Sequence, residues 1–118
     1  MGHLGEFEQL ILFSVLNLGD GACGVAIRED IEARTGRVVS SGAVYTALSR
    51  LERRGFVLSR ASEDSAGAGP GTAAGRPGRP RKYYALQPAG ARALWATYAT
   101  LQAMAGGLIP KLTELAER

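Results

Sequence analysis

A capped helix that runs through a glycine directly into a strand is the feature that most restricts how this chain can fold. Ser40 is a good N-cap residue, because its hydroxyl can accept a hydrogen bond from a free backbone N–H of the first helical turn. The helix predicted after it ends at Gly55, and residues 56–60 and 82–86 are both rich in strand-forming side chains. This order of helix, strand, long loop and strand predicts a β-hairpin, or wing, beside a helix that can be offered to a DNA groove.

The predicted helix has one apolar and one polar face. Val44, Leu48 and Leu51 follow helical spacing and should enter the core. The opposite face carries small and hydroxyl side chains near its N-terminal end and arginines near its C-terminal end. Small side chains let a helix approach base edges, and the positive N-terminus of a helix favours nearby phosphate. We therefore predict DNA contacts from Ser40, Ser41, Gly42, Tyr45, Thr46, Ser49, Arg50 and Arg53.

The loop between the two strands, about residues 62–80, contains no large apolar residue. Its proline-fixed backbone and closely spaced arginines suit a narrow, A·T-rich minor groove. Residues 78–82 resemble the core of an AT-hook, although Pro77 stands where that motif usually has an arginine. The alternative is a flexible loop that only keeps the protein in solution. The predicted DNA contacts of the wing are Arg76, Arg79, Arg81 and Lys82.

Charge is distributed unevenly along the 118 residues, although the formal net charge is only +3. Residues 1–36 hold two basic and six acidic side chains, whereas residues 37–82 hold nine basic and three acidic ones. The middle third of the chain is therefore the predicted contact with a polyanion. The total length suits a single domain.

The first and last predicted helices carry more apolar surface than a single small domain covers. Residues 4–18 are apolar on almost every side. The last helix starts at Pro88 and repeats apolar residues at alternating spacings of four and three, as in a coiled coil or helix pair. Gly106-Gly107 and Pro110 predict a kink or a break into two shorter helices. We predict a homodimer with Phe7, Ile11, Leu94, Tyr98, Leu101, Ala105 and Leu108 in the interface.

A further helix is predicted over residues 24–35, with Gly36 as its C-terminal stop. The predicted fold is mostly α with a small β-hairpin. It comprises a winged helix-turn-helix DNA-binding domain over residues 1–87 and a C-terminal dimerisation helix over residues 88–118.

Several function classes are excluded or disfavoured. With one cysteine, Cys23, and one histidine, the chain cannot form an internal disulfide or a zinc site of four Cys or His ligands. Cys23 is expected to be a small apolar residue at a helix start rather than a redox sensor. No paired carboxylates, nucleophile with a histidine or phosphate-binding loop suggests an enzyme, so no cofactor or metal is predicted. The sequence has neither a long apolar run nor a signal-peptide pattern, which predicts a cytoplasmic protein without a membrane partner.

Three segments together resemble the PadR family of bacterial transcription regulators. They are residues 4–18, residues 44–57 around Tyr45, and residues 81–90, where Gln87 replaces the usual threonine. The resemblance covers about residues 4–105, and the short C-terminal helix is similar to that of the smaller PadR-like subfamily. It implies a homodimer held by the first and last helices, a recognition helix in the major groove and a wing on the backbone or minor groove. It also implies repression that a small molecule or stress signal releases.

An effector site is predicted near Trp95 and Tyr98, where planar apolar ligands can stack beside the dimer seam. The alternative is that Trp95 fills core space. The family often has an aromatic residue before the glycine that opens the second helix, but here Cys23 precedes Gly24. Any effector contact from that ring is therefore not expected. A second function class also stays open, namely a winged helix that binds protein and never touches DNA.

Overall fold

The computed structural model of the chain describes residues 4–61 and 81–118. The fold is mostly α with a small β-hairpin, as predicted. Arg76 and Arg79, with the rest of the predicted wing loop at 62–80, lie outside the described residues. The elements in chain order are α1 (Glu6–Leu18), a 3₁₀ turn (Gly19–Gly21), α2 (Gly24–Thr35), α3 (Ser41–Arg53), β1 (Val57–Ala61), β2 (Lys82–Leu86), α4 (Pro88–Ala105) and α5 (Ile109–Ala116).

The predicted ends of α2 and α3 are confirmed. The Ser40 hydroxyl accepts a hydrogen bond from the Ala43 backbone N–H at 3.0 Å and caps α3. Gly36 follows α2 with φ of +77°, and Gly55 follows α3 with φ of +78°. Both values lie in the left-handed region that a side chain disfavours, so glycine stops each helix and redirects the backbone.

The core lies between α1, α2 and α3. Val44, Leu48 and Leu51 are fully buried, which confirms the predicted inner face of α3. The side chains that meet them come from α1 and α2 and include Leu12 and Ile27. Residues buried in this core are Leu4, Ile11, Leu12, Val15, Ile27, Ile31, Val44, Ala47, Leu48 and Leu51.

The hairpin pairs β1 with β2 in antiparallel register, with Val57 opposite Leu86. The other edge of β2 is also occupied. Tyr84 donates its backbone N–H to the Ala22 carbonyl at 2.9 Å, and Cys23 forms an isolated bridge with Tyr83. Cys23 is buried at the N-cap of α2, as predicted. The wing strand is thereby tied to the residues that lead into α2.

The start of α4 is buried against the hairpin and α1, whereas the remainder is mostly exposed. Gly90 lies against the Phe56 backbone, and Leu94 is buried. Beyond Leu94 no residue of α4 is buried, and α5 has none. The predicted interruption is confirmed, since α4 ends at Ala105 and α5 begins at Ile109. Among the described residues, no helix is long and apolar enough to cross a membrane.

Two predicted interface residues are buried inside the chain itself. Ile11 is 0% exposed and Leu94 is 5% exposed, because both pack in the core between α1 and its neighbours. Neither therefore offers surface to a second subunit, which corrects the expectation for these two positions. Phe7 and Ala105 are half-buried, and Tyr98, Leu101 and Leu108 are exposed.

Candidate nucleic-acid interface

The outer face of α3 is solvent-exposed along its full length. Its N-terminal part carries hydroxyl groups, and a side chain added at Gly42 would meet no atom within 4 Å. This part of the helix therefore has an unobstructed surface that another molecule can approach closely. Every residue predicted for this face is exposed, namely Ser40, Ser41, Gly42, Tyr45, Thr46, Ser49, Arg50 and Arg53.

The arginines at the C-terminal end of α3 fall into two groups. Arg50 and Arg53 are exposed, and neither forms an ion pair with a residue in the described parts of the chain. Arg54 is held in place, since its Nη1 lies 3.5 Å from Glu8 Oε1 and its guanidinium lies 4.6 Å from the centre of the Phe56 ring. Arg50 and Arg53 are therefore the two cations of this helix that can meet an external phosphate without breaking an ion pair.

The base of the wing adds further positive charge. Arg81 and Lys82, both predicted contacts, are exposed at the start of β2. Arg60 on β1, which the sequence reasoning did not select, lies with its guanidinium 5.2 Å from the centre of the Tyr83 ring. Its Nη2 also lies 3.5 Å from the Asp20 carbonyl oxygen. These contacts hold the Arg60 side chain on β1, next to the strand β2 that carries Lys82.

Tyr45 occupies a defined position at the junction of three elements. Its side chain is 43% exposed, and its ring lies against Gly24 in the first turn of α2. The nearby Tyr84 is buried, and this burial raises the pKa of its phenol, with smaller contributions in the same direction from Glu52 and Tyr45. Sequence reasoning missed Gly24 and Tyr84 as members of this group. A glycine opening a helix, where alanine is the better helix former, was the available signal for Gly24.

The residues predicted for an effector site are partly brought together. Trp95 is 66% exposed, so it does not fill core space within the chain. The centres of the Trp95 and Tyr98 rings are 6.3 Å apart, and Tyr98 also meets Phe13 of α1 edge to face. An open groove of about 520 Å³ lies between α4 and α5, and Tyr98 is not part of its lining. The groove is lined by Trp95, Ala99, Gln102, Ala103, Ala105, Gly106 and Ile109.

The same architecture occurs in solved structures of regulators. A PadR family transcription regulator from Clostridium difficile superposes with a TM-score of 0.66 at 22% identity, covering 90% of this chain and 98% of that one. A transcriptional regulator from Clostridium thermocellum gives 0.64 at 22% identity, covering 83% and 84%. A PadR family regulator from Eggerthella lenta gives 0.58 at 26% identity, covering 92% and 87%. No curated protein matches the sequence.

The family model described as the transcriptional regulator PadR-like family matches residues 12–96. The chain belongs to this family. The resemblance found in the sequence is thereby confirmed, and the hairpin beside α3 is the wing of a PadR winged helix. Membership makes the chain a transcriptional regulator, and DNA is the partner that the PadR family implies.

Proposed function

We propose that this PadR-like protein is a sequence-specific DNA-binding repressor that acts as a homodimer. The observation that carries the proposal is the outer face of α3. This face is exposed from Ser41 to Arg53, carries hydroxyl groups before cations, and keeps Arg50 and Arg53 out of ion pairs with the described residues. A helix with these properties suits the major groove, with its N-terminal residues near base edges and its arginines near phosphates.

Residues 1–87 form the DNA-binding domain in this proposal, and residues 88–118 form the dimerisation helices. The wing extends the contact beyond the major groove. Arg81 and Lys82 are exposed at its base, and Arg76 and Arg79 precede them in the sequence. Closely spaced arginines beside prolines favour the backbone or a narrow minor groove. The wing should therefore contribute affinity more than sequence preference.

The second subunit should cover the outer surface of α1, α4 and α5. Large apolar side chains are exposed there in the described part of the chain, including Leu101, which is 56% exposed. A two-fold axis through this surface would set the two α3 helices about one turn of DNA, or a multiple, apart. The proposed interface comprises Phe7, Phe13, Leu16, Tyr98, Leu101, Ala105, Leu108, Leu112 and Leu115.

Release by a small molecule is the regulatory part of the proposal. The groove beside Trp95 supports it, because an exposed indole over an apolar lining can stack against a planar ligand. The groove also lies at the break between α4 and α5, so a ligand there would act on the helices that set the dimer geometry. A stress signal that acts on the same helices is the other form of release.

One other function class makes a different prediction. A winged helix that binds only protein would need an acidic or apolar outer face on α3, whereas this face carries hydroxyl groups and arginines. Such a protein would elute from DNA resin at low salt. We propose no catalytic activity for the chain.

The deciding experiment is capture of genomic DNA fragments on the purified protein, followed by sequencing and by titration of an enriched fragment at several salt concentrations. We expect affinity for the enriched fragment to exceed that for a scrambled one and to fall steeply with salt. The double variant Arg50→Ala/Arg53→Ala should lower the slope of log K against log salt by up to about two units, at roughly 0.9 per lost phosphate contact.

Arg92→Ala/Lys111→Ala is the matched control, because both cations are exposed but lie outside the proposed DNA-binding surface. Failure to enrich any fragment would refute the proposal. If the control variant lowered the salt slope as much as Arg50→Ala/Arg53→Ala does, the assignment of α3 as the DNA-binding helix would be refuted.

A further inference from the structure

The need for a glycine at position 24 comes from a side chain of another helix and not from the backbone conformation of Gly24. Its φ is not positive, and it is the first residue of α2, where any good helix former is allowed. A Cβ added at position 24 would instead overlap the ring and hydroxyl of Tyr45. The missing side chain therefore creates the seat in which the Tyr45 ring lies.

The seat joins three elements at one point. Tyr45 comes from α3, and Gly24 comes from the first turn of α2. The residues just before Gly24 are bound to the wing strand, through the Tyr84 N–H to the Ala22 carbonyl at 2.9 Å and the bridge between Cys23 and Tyr83. Gly24 is buried, and a methyl group there is fixed to the backbone, so the Tyr45 ring would have to move to make room for it.

The seated ring keeps a large accessible surface. Tyr45 is 43% exposed, although one side of its ring is covered by Gly24. A ring held in one orientation loses little conformational freedom when it binds, so its contact adds more to the affinity than that of a mobile side chain. Tyr45 therefore offers a partner an exposed ring surface from a fixed position.

We propose that Gly24 is a positioning residue for DNA binding, which holds the Tyr45 ring against the start of α2 so that Tyr45 meets the DNA backbone from a fixed position. This inference rests on the proposed function. Gly24 need not touch DNA itself, but the contribution of Tyr45 to DNA affinity depends on it.

The test is a double-mutant cycle on an enriched DNA fragment. Gly24→Ala should displace the ring and weaken binding about tenfold, the size expected for one hydrogen bond to a charged phosphate. In a Tyr45→Ala background, which itself binds about tenfold more weakly, Gly24→Ala should change the affinity less than twofold. Equal losses in both backgrounds would overturn the proposal, because Gly24 would then act independently of Tyr45.

Gly21→Ala is the matched control. Gly21 lies three residues earlier, has no positive φ, and has no atom within 4 Å of an added Cβ. It should leave the affinity unchanged. Tyr45→Phe is a second arm that preserves the seated ring and removes only the hydroxyl, and it should also bind about tenfold more weakly. Wild-type affinity in Tyr45→Phe would overturn the proposed backbone contact even if Gly24→Ala failed to fold.

An NMR measurement tests the seat without DNA. The Gly24 proton that points toward the Tyr45 ring should show a ring-current shift, and this shift should persist in Tyr45→Phe and vanish in Tyr45→Ala. If this ring-current shift is absent from the wild type, the Tyr45 ring does not lie against Gly24 in solution. A wild type that binds no DNA refutes the proposed function together with this inference. Salt-sensitive wild-type binding that Gly24→Ala leaves intact refutes this inference alone.

Discussion

The winged-helix part of the molecule and its two C-terminal helices use similar apolar side chains in opposite ways. Val44, Leu48 and Leu51 of α3 are fully buried in the chain's own core. In α4 and α5, by contrast, Leu101 and Leu112 follow an equally regular spacing and are 56% and 61% exposed. Periodicity therefore identifies a face that needs covering, but it does not tell whether the same chain or another covers it.

The difference follows from the number of neighbours that each helix has. Residues of α3 meet α1, α2 and β1, so its apolar face is enclosed. After Leu94, α4 meets α1 through the Tyr98–Phe13 ring contact but buries no further residue, and α5 buries none. Apolar surface of this extent on a small domain normally marks an interaction site. We therefore expect the winged-helix region to be stable by itself and the C-terminal helices to be completed by a partner.

The largest contrast is expected in stability. Leu48→Ala should lower the free energy of unfolding by about 2–5 kcal/mol at every protein concentration, because it opens a cavity in an enclosed core. Leu112→Ala should instead reduce the dependence of the melting temperature on protein concentration, since it weakens association. Thermal unfolding at two concentrations a hundredfold apart distinguishes the two. A large, concentration-independent loss in Leu112→Ala would contradict the division into two regions.

The elements that the sequence predicted well are those fixed by local chemistry. The Ser40 cap, the stops at Gly36 and Gly55 and the break after Ala105 depend on hydrogen bonds and backbone freedom within a few residues. The misassignment of Ile11 has a different origin. A helix that is apolar on nearly every side contains too little contrast to show which residues face inward, and that is decided by the packing of α2 and α3.

The missed members of the candidate site were missed for the same reason. Gly24 and Tyr84 come close to Tyr45 only after α2, α3 and β2 have packed together. No spacing along the sequence links positions 24, 45 and 84. The exposed face of α3, in contrast, was predictable because a helix places it from its own periodicity.

The next largest effect concerns the proposed dimer. Leu101→Asp places a charge on the exposed apolar face and should give monomers by light scattering at micromolar concentration. Operator affinity should fall on the order of a hundredfold or more, because two linked half-site contacts bind that much more tightly than one. Ala96→Asp is the control, since it adds the same charge to an exposed position of α4 outside the apolar repeat. A wild type that is already monomeric would refute the dimer.

Within the DNA-binding region, the wing should change affinity without changing preference. Replacing Arg76, Arg79, Arg81 and Lys82 with alanine removes up to four phosphate or minor-groove contacts. The slope of log K against log salt should fall by up to about four units, at roughly 0.9 per contact, with the ranking of DNA sequences preserved. An unchanged slope would show that the wing takes no part in binding.

The N-terminal half of α3 should behave in the opposite way. Ser41→Ala or Thr46→Ala should cost about 1–3 kcal/mol at the cognate site if a base-specific hydrogen bond is lost, and little on scrambled DNA. Binding to a library of randomised half-sites measures this directly. Equal losses on all sequences would reassign these hydroxyl groups to the DNA backbone.

The smallest effect is expected from ligands in the groove between α4 and α5, which lies beside the proposed dimer interface. Trp95 is the only tryptophan of the chain and is 66% exposed, so its fluorescence reports directly on this groove. Planar aromatic compounds should quench it and weaken operator binding about fivefold, at the low end of ordinary coupling between sites. We expect the low end of this range because Cys23 stands where the PadR family often has an aromatic residue, so this position offers no ring to a ligand.

A substitution in the groove lining distinguishes ligand binding in the groove from nonspecific binding to the exposed apolar face. Ala99→Gln fills the groove beside Trp95 and leaves the leucine repeat intact, so the dimer should persist while quenching is lost. Compounds that quench wild type and Ala99→Gln equally do not bind in the groove. Quenching that leaves operator affinity unchanged would separate the groove from regulation. Regulation would then have to be sought outside the groove, for example in a signal that shifts α4 and α5 at the proposed dimer interface.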